Sequence, residues 1–315
     1  MAEAWTPSAR YPDPAIVALD PSFRRYHVAL SAVERLWTGS RWGEGPVWIG
    51  DLRCLLWSDI PNDRVMRFDE TDGGVSVFRH PCGHENGHAV DREGRLVSCE
   101  HQGRCVSRTG HDGGRTVLAG RWQGKRLNSP NDVVVAADST VWFTDPTYGI
   151  DSDYEGDAAE SEIGASHVYR VDPRDGRLDA AVTDMVRPNG LCFSPDGGTL
   201  YVSETGSSHR PGHPVEIRAY AVAGAMPLRD GRRFALCDAG VFDGIRCDAA
   251  GNVWTSAGDG VRCHAPDGTL IGKIPVPETV SNLCFGGPKR NRLYMTAHTS
   301  LYAIHVNARG AGHPS

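Results

Sequence analysis

The sequence predicts an all-β fold, a six-bladed β-propeller of four-stranded blades. Three observations carry this. A pattern recurs six times along 315 residues. Its copies are strand-like runs punctuated by DG, PDG, EG and NG turns. Each interval between copies has room for two further strands, which makes one blade per copy.

The copies are "GEGPVWIGDLRCLLWSD" (43–59), "ENGHAVDREGRLVSCE" (85–100), "PNDVVVAADSTVWFTD" (130–145), "PNGLCFSPDGGTLYVSE" (188–204), "FDGIRCDAAGNVWTSA" (242–257) and "SNLCFGGPKRNRLYMTA" (281–297). Each holds a polar residue, a short apolar strand, a turn and a second strand. From the polar residue to the end of the second strand is 14 or 15 residues, and successive polar residues lie 42, 45, 58, 54 and 39 apart. In the first interval "RVMRFDE" and "VSVFRH" supply strands three and four. The last unit shows too few strands, so "VERLWTG" (33–39) is expected to complete it and close the ring. A β-sandwich explains neither six copies nor the constant spacing. The division expected is an N-terminal extension, 1–31, and a single propeller domain, 32–310. Within 14–36, "PAIVALDPSFRRYHVALSAVERL" has the helical periodicity that the rest of the chain lacks.

Composition excludes several functions. Hydrophobic content of 40% and charged content of 23% are those of a globular chain. Net charge is −6 and no basic stripe occurs, which argues against nucleic acid or anionic membrane as partner. The nine Cys are irregularly spaced with no CxxC, so reduced, buried thiols are expected. No basic-then-apolar leader and no run of spanning length is visible, so a cytoplasmic protein is expected. A monomer or dimer is the expected state.

In a propeller the first strand of each blade lines the central channel, so the six polar residues converge on one rim. They are Glu44, Asn86, Asn131, Asn189, Asp243 and Asn282. Asx turns explain a single Asn or Asp at a strand entrance. They do not explain Glu44, or six side-chain oxygens at one axis. A hard cation does. Glu44 and Asp243 would balance a divalent charge, and Asn131 and Asn189 would add neutral oxygens. Calcium is the first expectation; magnesium, manganese, zinc and iron(II) are compatible.

The stretches "EGPVW", "GKRLNSPNDVVV", "WFTDPTYGI", "VYRVDP", "RPNGLCFSPDG", "YVSETG" and "FDGIRCDAAGNVW" together resemble the SMP-30/gluconolactonase/LRE family, in order over about 44–300. The resemblance implies one catalytic divalent metal, held by Glu44, Asn189 and Asp243, with Asn131 as a further ligand or a substrate contact. It implies hydrolysis of a gluconolactone-like sugar 1,4- or 1,5-lactone to the aldonic acid. Asp243 is the expected base for the attacking water; water ionised on the metal is the alternative. No GxSxG is present, and His84, His88 and His101 lack a placed Ser partner. Asn128, Arg126, Asp132, His84 and His88 are expected substrate contacts. Some family members place an Arg immediately beside the Asn-Asp pair, where this chain has Ser129-Pro130. Other readings are hydrolysis of an aromatic lactone or phosphotriester at the same metal, or a binding propeller whose metal ties the blades together.

Asp59, Glu100, Asp145 and Glu204 stand at the second-strand ends; capping is the expected role, with "TDPTYG" (144–149), which holds Asp145, singled out as the exception to test by mutation. "DSDYEGDAAESE" (151–162) has carboxylates near calcium-loop offsets, but strands flank it where that motif needs helices. It is expected to be an acidic insertion of the third blade, overhanging the channel mouth.

Overall fold

The computed structural model describes residues 6–222 and 226–312. Six four-stranded antiparallel sheets follow one another along the chain. Their inner strands are Gly43–Ile49, Glu85–Val90, Val133–Val135, Pro188–Phe193, Ile245–Cys247 and Val280–Gly286, which open blades 1 to 6 in that order. In blade 1 the sequence expectation is met strand for strand: Cys54–Asp59, Arg64–Asp69 and Val75–Arg79 follow the inner strand. The ring closes as the sequence predicts. Glu34–Thr38 pairs with Ser300–His305, in register Glu34↔Ala303, and becomes the outer strand of blade 6.

The second strands are buried throughout in blades 1, 2, 3 and 5, because both sheet faces are covered by neighbouring blades. The core is therefore divided among the blade interfaces. Leu55 and Trp57 of blade 1 pack on Tyr294 and Leu301 of blade 6. Tyr201 of blade 4 packs with Ile245 and Val253 of blade 5.

The helix suggested by the periodicity at 14–36 does not form. Val17–Ala18 instead adds a fifth strand to blade 5, with Val17 opposite Lys273. A short 3-10 turn, Pro21–Arg25, follows; Asp20 caps it by accepting from the Ser22 N–H at 2.8 Å. Pro21 interrupts any helix through the segment. The apolar spacing serves a strap instead. Phe23 is 1% exposed and its ring lies where a Cβ on Gly272 would be. Tyr26 meets Trp254 edge-on, with ring centroids 6.2 Å apart. No helix among the described residues is long and apolar enough to cross a membrane.

Candidate active site

The six polar residues of the repeat sit at the entrances of the six inner strands. The constant spacing behind them has a physical cause. The carboxylate that ends the second strand reaches back to backbone N–H groups just ahead of the polar residue. Asp59 Oδ1 accepts from Arg41 N at 2.9 Å, Asp145 Oδ2 from Asn128 N at 2.9 Å, and Glu204 from Val186 N at 2.7 Å and Arg187 N at 2.8 Å. These are the caps expected from the sequence. In blade 2 Glu100 instead pairs with Arg115 and Ser107.

Glycine follows the polar residue in four blades because the next inner strand lies against it. A Cβ on Gly45 would be 2.7 Å from the Asn86 carbonyl carbon; one on Gly87, 2.5 Å from Asn131 O; one on Gly190, 2.9 Å from Gly244 Cα; one on Gly244, 2.6 Å from Asn282 Cα. Gly87 N donates to Asn131 O at 2.8 Å and Gly190 N to Asp243 O at 3.1 Å. Blade 3 departs with Asp132. Its carboxylate accepts from Val133 N at 2.9 Å and from Arg246 Nη1 at 3.1 Å, so it ties blade 3 to blade 5.

Glu44 is 4% exposed, and its Oε2 accepts from Gly45 N at 2.9 Å and Asn282 Nδ2 at 3.1 Å. The carboxyl group of Asp243 lies close enough to share a hydrogen bond with it. Burial raises Glu44 to about 7, with Asp132 and Glu155 adding to the rise. Burial and then the charge of Glu44 hold Asp243 well above the usual carboxylate range. Asn131 and Asn189 are 7% and 6% exposed. No hydrogen bond from a described residue reaches either side-chain amide. The buried carboxylate of Glu44, the half-buried one of Asp243 and two amides with no partner among the described residues thus stand at the inner-strand entrances, a rim termed the chamber, and Arg246 is engaged by Asp132.

Other expected contacts are placed differently. Asn128 is fully buried: its Nδ2 donates to Asp145 O and Ala165 O, both at 2.9 Å, and its Oδ1 accepts from Ser161 at 2.5 Å. It braces a loop and has no free polar atom for a sugar. His88 is enclosed between Ser58 (2.8 Å) and Ser98 (2.9 Å), which occupy both ring nitrogens, and burial lowers it to about 3. It is a neutral bridge between blades 1 and 2, not a substrate contact. His84 Nδ1 donates to Ile60 O at 2.8 Å. Arg126 lies on the two-stranded ribbon of Arg121–Trp122 and Lys125–Arg126. No hydrogen bond or ion pair among the described residues joins its guanidinium to the chamber. Asp132 is 1% exposed and committed to Arg246.

Sequence reasoning singled out "TDPTYG", which holds Tyr148, and missed Arg246, Glu155 and Arg187. Arg246 is the only Lys or Arg on the six inner strands, which was a readable signal. The acidic insertion folds inward: the charge of Glu155 acts on both Glu44 and Asp243. Tyr148, from "TDPTYG", lies under Arg187, 4.7 Å from ring centroid to guanidinium, and Arg187 Nη1 donates to Asp151 at 2.8 Å. That pair fastens the insertion to blade 4.

Among the described residues no group of three or more His, Cys, Asp or Glu is arranged to hold a metal. The chamber offers another kind of set, two carboxylates with two amides. Such all-oxygen donors suit a hard divalent cation, and a buried like-charged pair with no cationic side chain of its own is where one is most favoured.

The chain belongs to the SMP-30/gluconolactonase/LRE-like family, whose model matches residues 42–299. It is 33% identical to a gluconolactonase of Zymomonas mobilis, over 88% of this chain and 82% of that protein. It is 30% identical to a pentonolactonase of Haloferax volcanii, over 82% of each. A solved structure of a gluconolactonase from Xanthomonas campestris superposes with a TM-score of 0.86 at 38% identity, covering 92% of this chain and 94% of that one.

Proposed function

We propose that the protein hydrolyses a sugar 1,4- or 1,5-lactone to its aldonic acid, with a divalent cation held by Glu44, Asn131, Asn189 and Asp243. The observation that carries this reading is the pair of Glu44, buried, and Asp243, half-buried, together with two inner-strand amides that no described residue satisfies. The lactone-hydrolysing relatives support the substrate class. When bound, the cation would polarise the ester carbonyl and stabilise the developing oxyanion.

Asp243 is the base in this scheme. Its backbone is fixed on both sides, by Ser256 Oγ to its N–H at 3.1 Å and by Ser203 Oγ to its carbonyl at 2.8 Å. The carboxylate takes a proton from water as the water oxygen bonds to the lactone carbonyl carbon. The same proton then passes to the ring oxygen as the ester C–O bond breaks, leaving a carboxylic acid and a free hydroxyl; the acid then loses its own proton to solvent. Glu44, held by Gly45 and Asn282, stays fixed as a ligand. Asp132 and Arg246 lock blades 3 and 5, which carry Asn131 and Asp243.

A panel of a sugar lactone, an aromatic lactone and a phosphotriester, compared by kcat/KM, tests the substrate class. The sugar lactone should lead by at least tenfold. A lead for either other substrate refutes the class and keeps the chamber. No turnover on any of them, with the protein folded and supplied with divalent metal, refutes the enzymatic reading.

A further inference from the structure

A second set of polar atoms borders the chamber from blades 2 and 3. Asn86 is 3% exposed, and its Oδ1 has no hydrogen-bond partner among the described residues. A buried acceptor left so is costly unless something outside the chain completes it. Its amide nitrogen is committed: Nδ2 lies 3.2 Å from His101 Nε2. His101 Nδ1 in turn lies 2.8 Å from the backbone carbonyl of Glu155.

The direction of this chain is fixed by chemistry. A carbonyl only accepts, so Nδ1 carries the hydrogen and Nε2 is an acceptor. Burial lowers His101 to about 4, so the ring stays neutral and keeps one hydrogen. Asn86 must therefore offer its NH2 to His101 and leave Oδ1 uncommitted. The other end of the relay places Glu155. Gly156 beside it is pressed so close that a Cβ would be 3.1 Å from the Gly149 carbonyl carbon and 3.3 Å from His101 Cβ. Ala159 N donates to Ile150 O at 3.0 Å and closes the loop. The half-buried Glu155 carboxylate has no hydrogen bond among the described residues. Asn86 Oδ1 and the Glu155 carboxylate are thus two acceptors with no donor among the described residues, linked through His101.

We infer that Asn86 Oδ1 and the Glu155 carboxylate form an acceptor-only subsite for the hydroxyl groups of the lactone, with His101 as the positioning residue that orients the one and anchors the other. The inference rests on the lactonase reading and deepens it. Hydroxyl groups are donors that such a subsite takes and that an unsubstituted lactone lacks. The subsite accounts for a preference among lactones, separately from the cation that activates the carbonyl.

The test compares D-glucono-1,5-lactone with δ-valerolactone, which has the same ring and ester but no hydroxyl groups. They are measured as substrates, or as competing ligands where turnover is slow, in wild type and in Asn86→Ala, Glu155→Gln, His101→Leu and His101→Gln. Calorimetric titration with calcium and with zinc runs alongside. Asn86→Ala and Glu155→Gln should raise KM for gluconolactone about 10- to 100-fold, as the loss of one hydrogen bond, charged in the case of Glu155, implies. Values for δ-valerolactone and for metal affinity should stay within threefold in Asn86→Ala; Glu155→Gln also removes a charge that acts on Glu44 and Asp243, so it is read by the ratio of the two lactones, which should fall about 10- to 100-fold. His101→Gln keeps an acceptor and a donor and should retain more of the hydroxyl preference than His101→Leu. Equal losses on both lactones, weakened metal binding, or an unchanged preference overturns the inference. An unchanged preference in an active enzyme leaves the lactonase reading standing; a wild type that hydrolyses neither lactone removes both. Circular dichroism on each variant and the milder Asn86→Ser separate misfolding from lost recognition.

Discussion

Replacing Gly87 by Ala probes how tightly the chamber is built. The new Cβ would lie 2.5 Å from Asn131 O, 2.6 Å from Asp132 Cα and 2.8 Å from Asp132 Oδ1. These are roughly 1 Å short of ordinary contact, and two of the three atoms are backbone, which no rotamer change can move. Blades 2 and 3 must part at the rim. The 2.8 Å bond from Gly87 N to Asn131 O would then stretch or break, at about 1 kcal/mol. Overpacking adds about 1–3 kcal/mol, so a loss of about 2–4 kcal/mol is expected. That is a large share of a typical folding free energy but leaves the chain folded. Because Asn131 and Asp132 are the atoms displaced, metal affinity and kcat should fall as well. Urea unfolding with an activity assay reads both effects. Gly120→Ala is the control, since its Cβ would meet nothing nearer than Cys105 Cβ at 3.6 Å. If Gly87→Ala matched wild type in stability and turnover, the close inter-blade contact at the rim would be refuted.

Asp243→Asn should lower kcat for sugar lactones by about 10²–10⁴-fold and weaken divalent binding; a kcat within threefold of wild type rejects Asp243 as the base. Phe23→Ala should cost about 3–5 kcal/mol by differential scanning calorimetry while leaving kcat unchanged at low temperature, because Phe23 is buried under the strap far from the chain's chamber residues. His88 titrates near 6.5 when unfolded and about 3 when folded, so its neutral form contributes stability that is whole above pH 6.5 and is lost as pH falls toward 3. At pH 4.5 this amounts to about 2–3 kcal/mol relative to pH 7. His88→Gln should flatten the unfolding free energy over that range, and an unchanged pH slope would show that His88 is not the titrating group.

The propeller was legible because its repeat is enforced by local chemistry. A carboxylate one strand after the polar residue holds the turn before it in blades 1, 3 and 4, as Asp59, Asp145 and Glu204 do, whereas that strand ends in Ala257 and Ala297 in blades 5 and 6. A glycine must follow where the next blade presses in. Both requirements leave marks at fixed spacing. The chamber's six entrance residues were legible for the same reason. What the spacing does not record is which way a side chain turns outside the repeat. Asn128 and Arg126 lie beside the Asn131 motif in sequence, yet Asn128 turns into a loop and Arg126 onto a ribbon. His88 shares a strand with Asn86 and is captured by two serines. Glu155 comes from an insertion with no repeat to fix its direction; contacts outside the repeat, among them the His101 anchor and the Arg187–Asp151 pair, fold it inward. The periodicity at 14–36 misled because the segment runs as a strap that buries Phe23 and Tyr26 against Trp254 and leaves Val17, Leu19 and Leu30 exposed, so the apolar residues do not form one helical face.

The most direct test of the cation chamber is a titration of metal-stripped protein with divalent ions, reading heat of binding and gluconolactone turnover on the same samples, for wild type and Glu44→Gln. One ion per chain should bind, turnover should rise in step with occupancy, and Glu44→Gln should lose both together. Full turnover in stripped protein, or binding that Glu44→Gln leaves intact, would contradict a cation held between Glu44 and Asp243 as the source of activity.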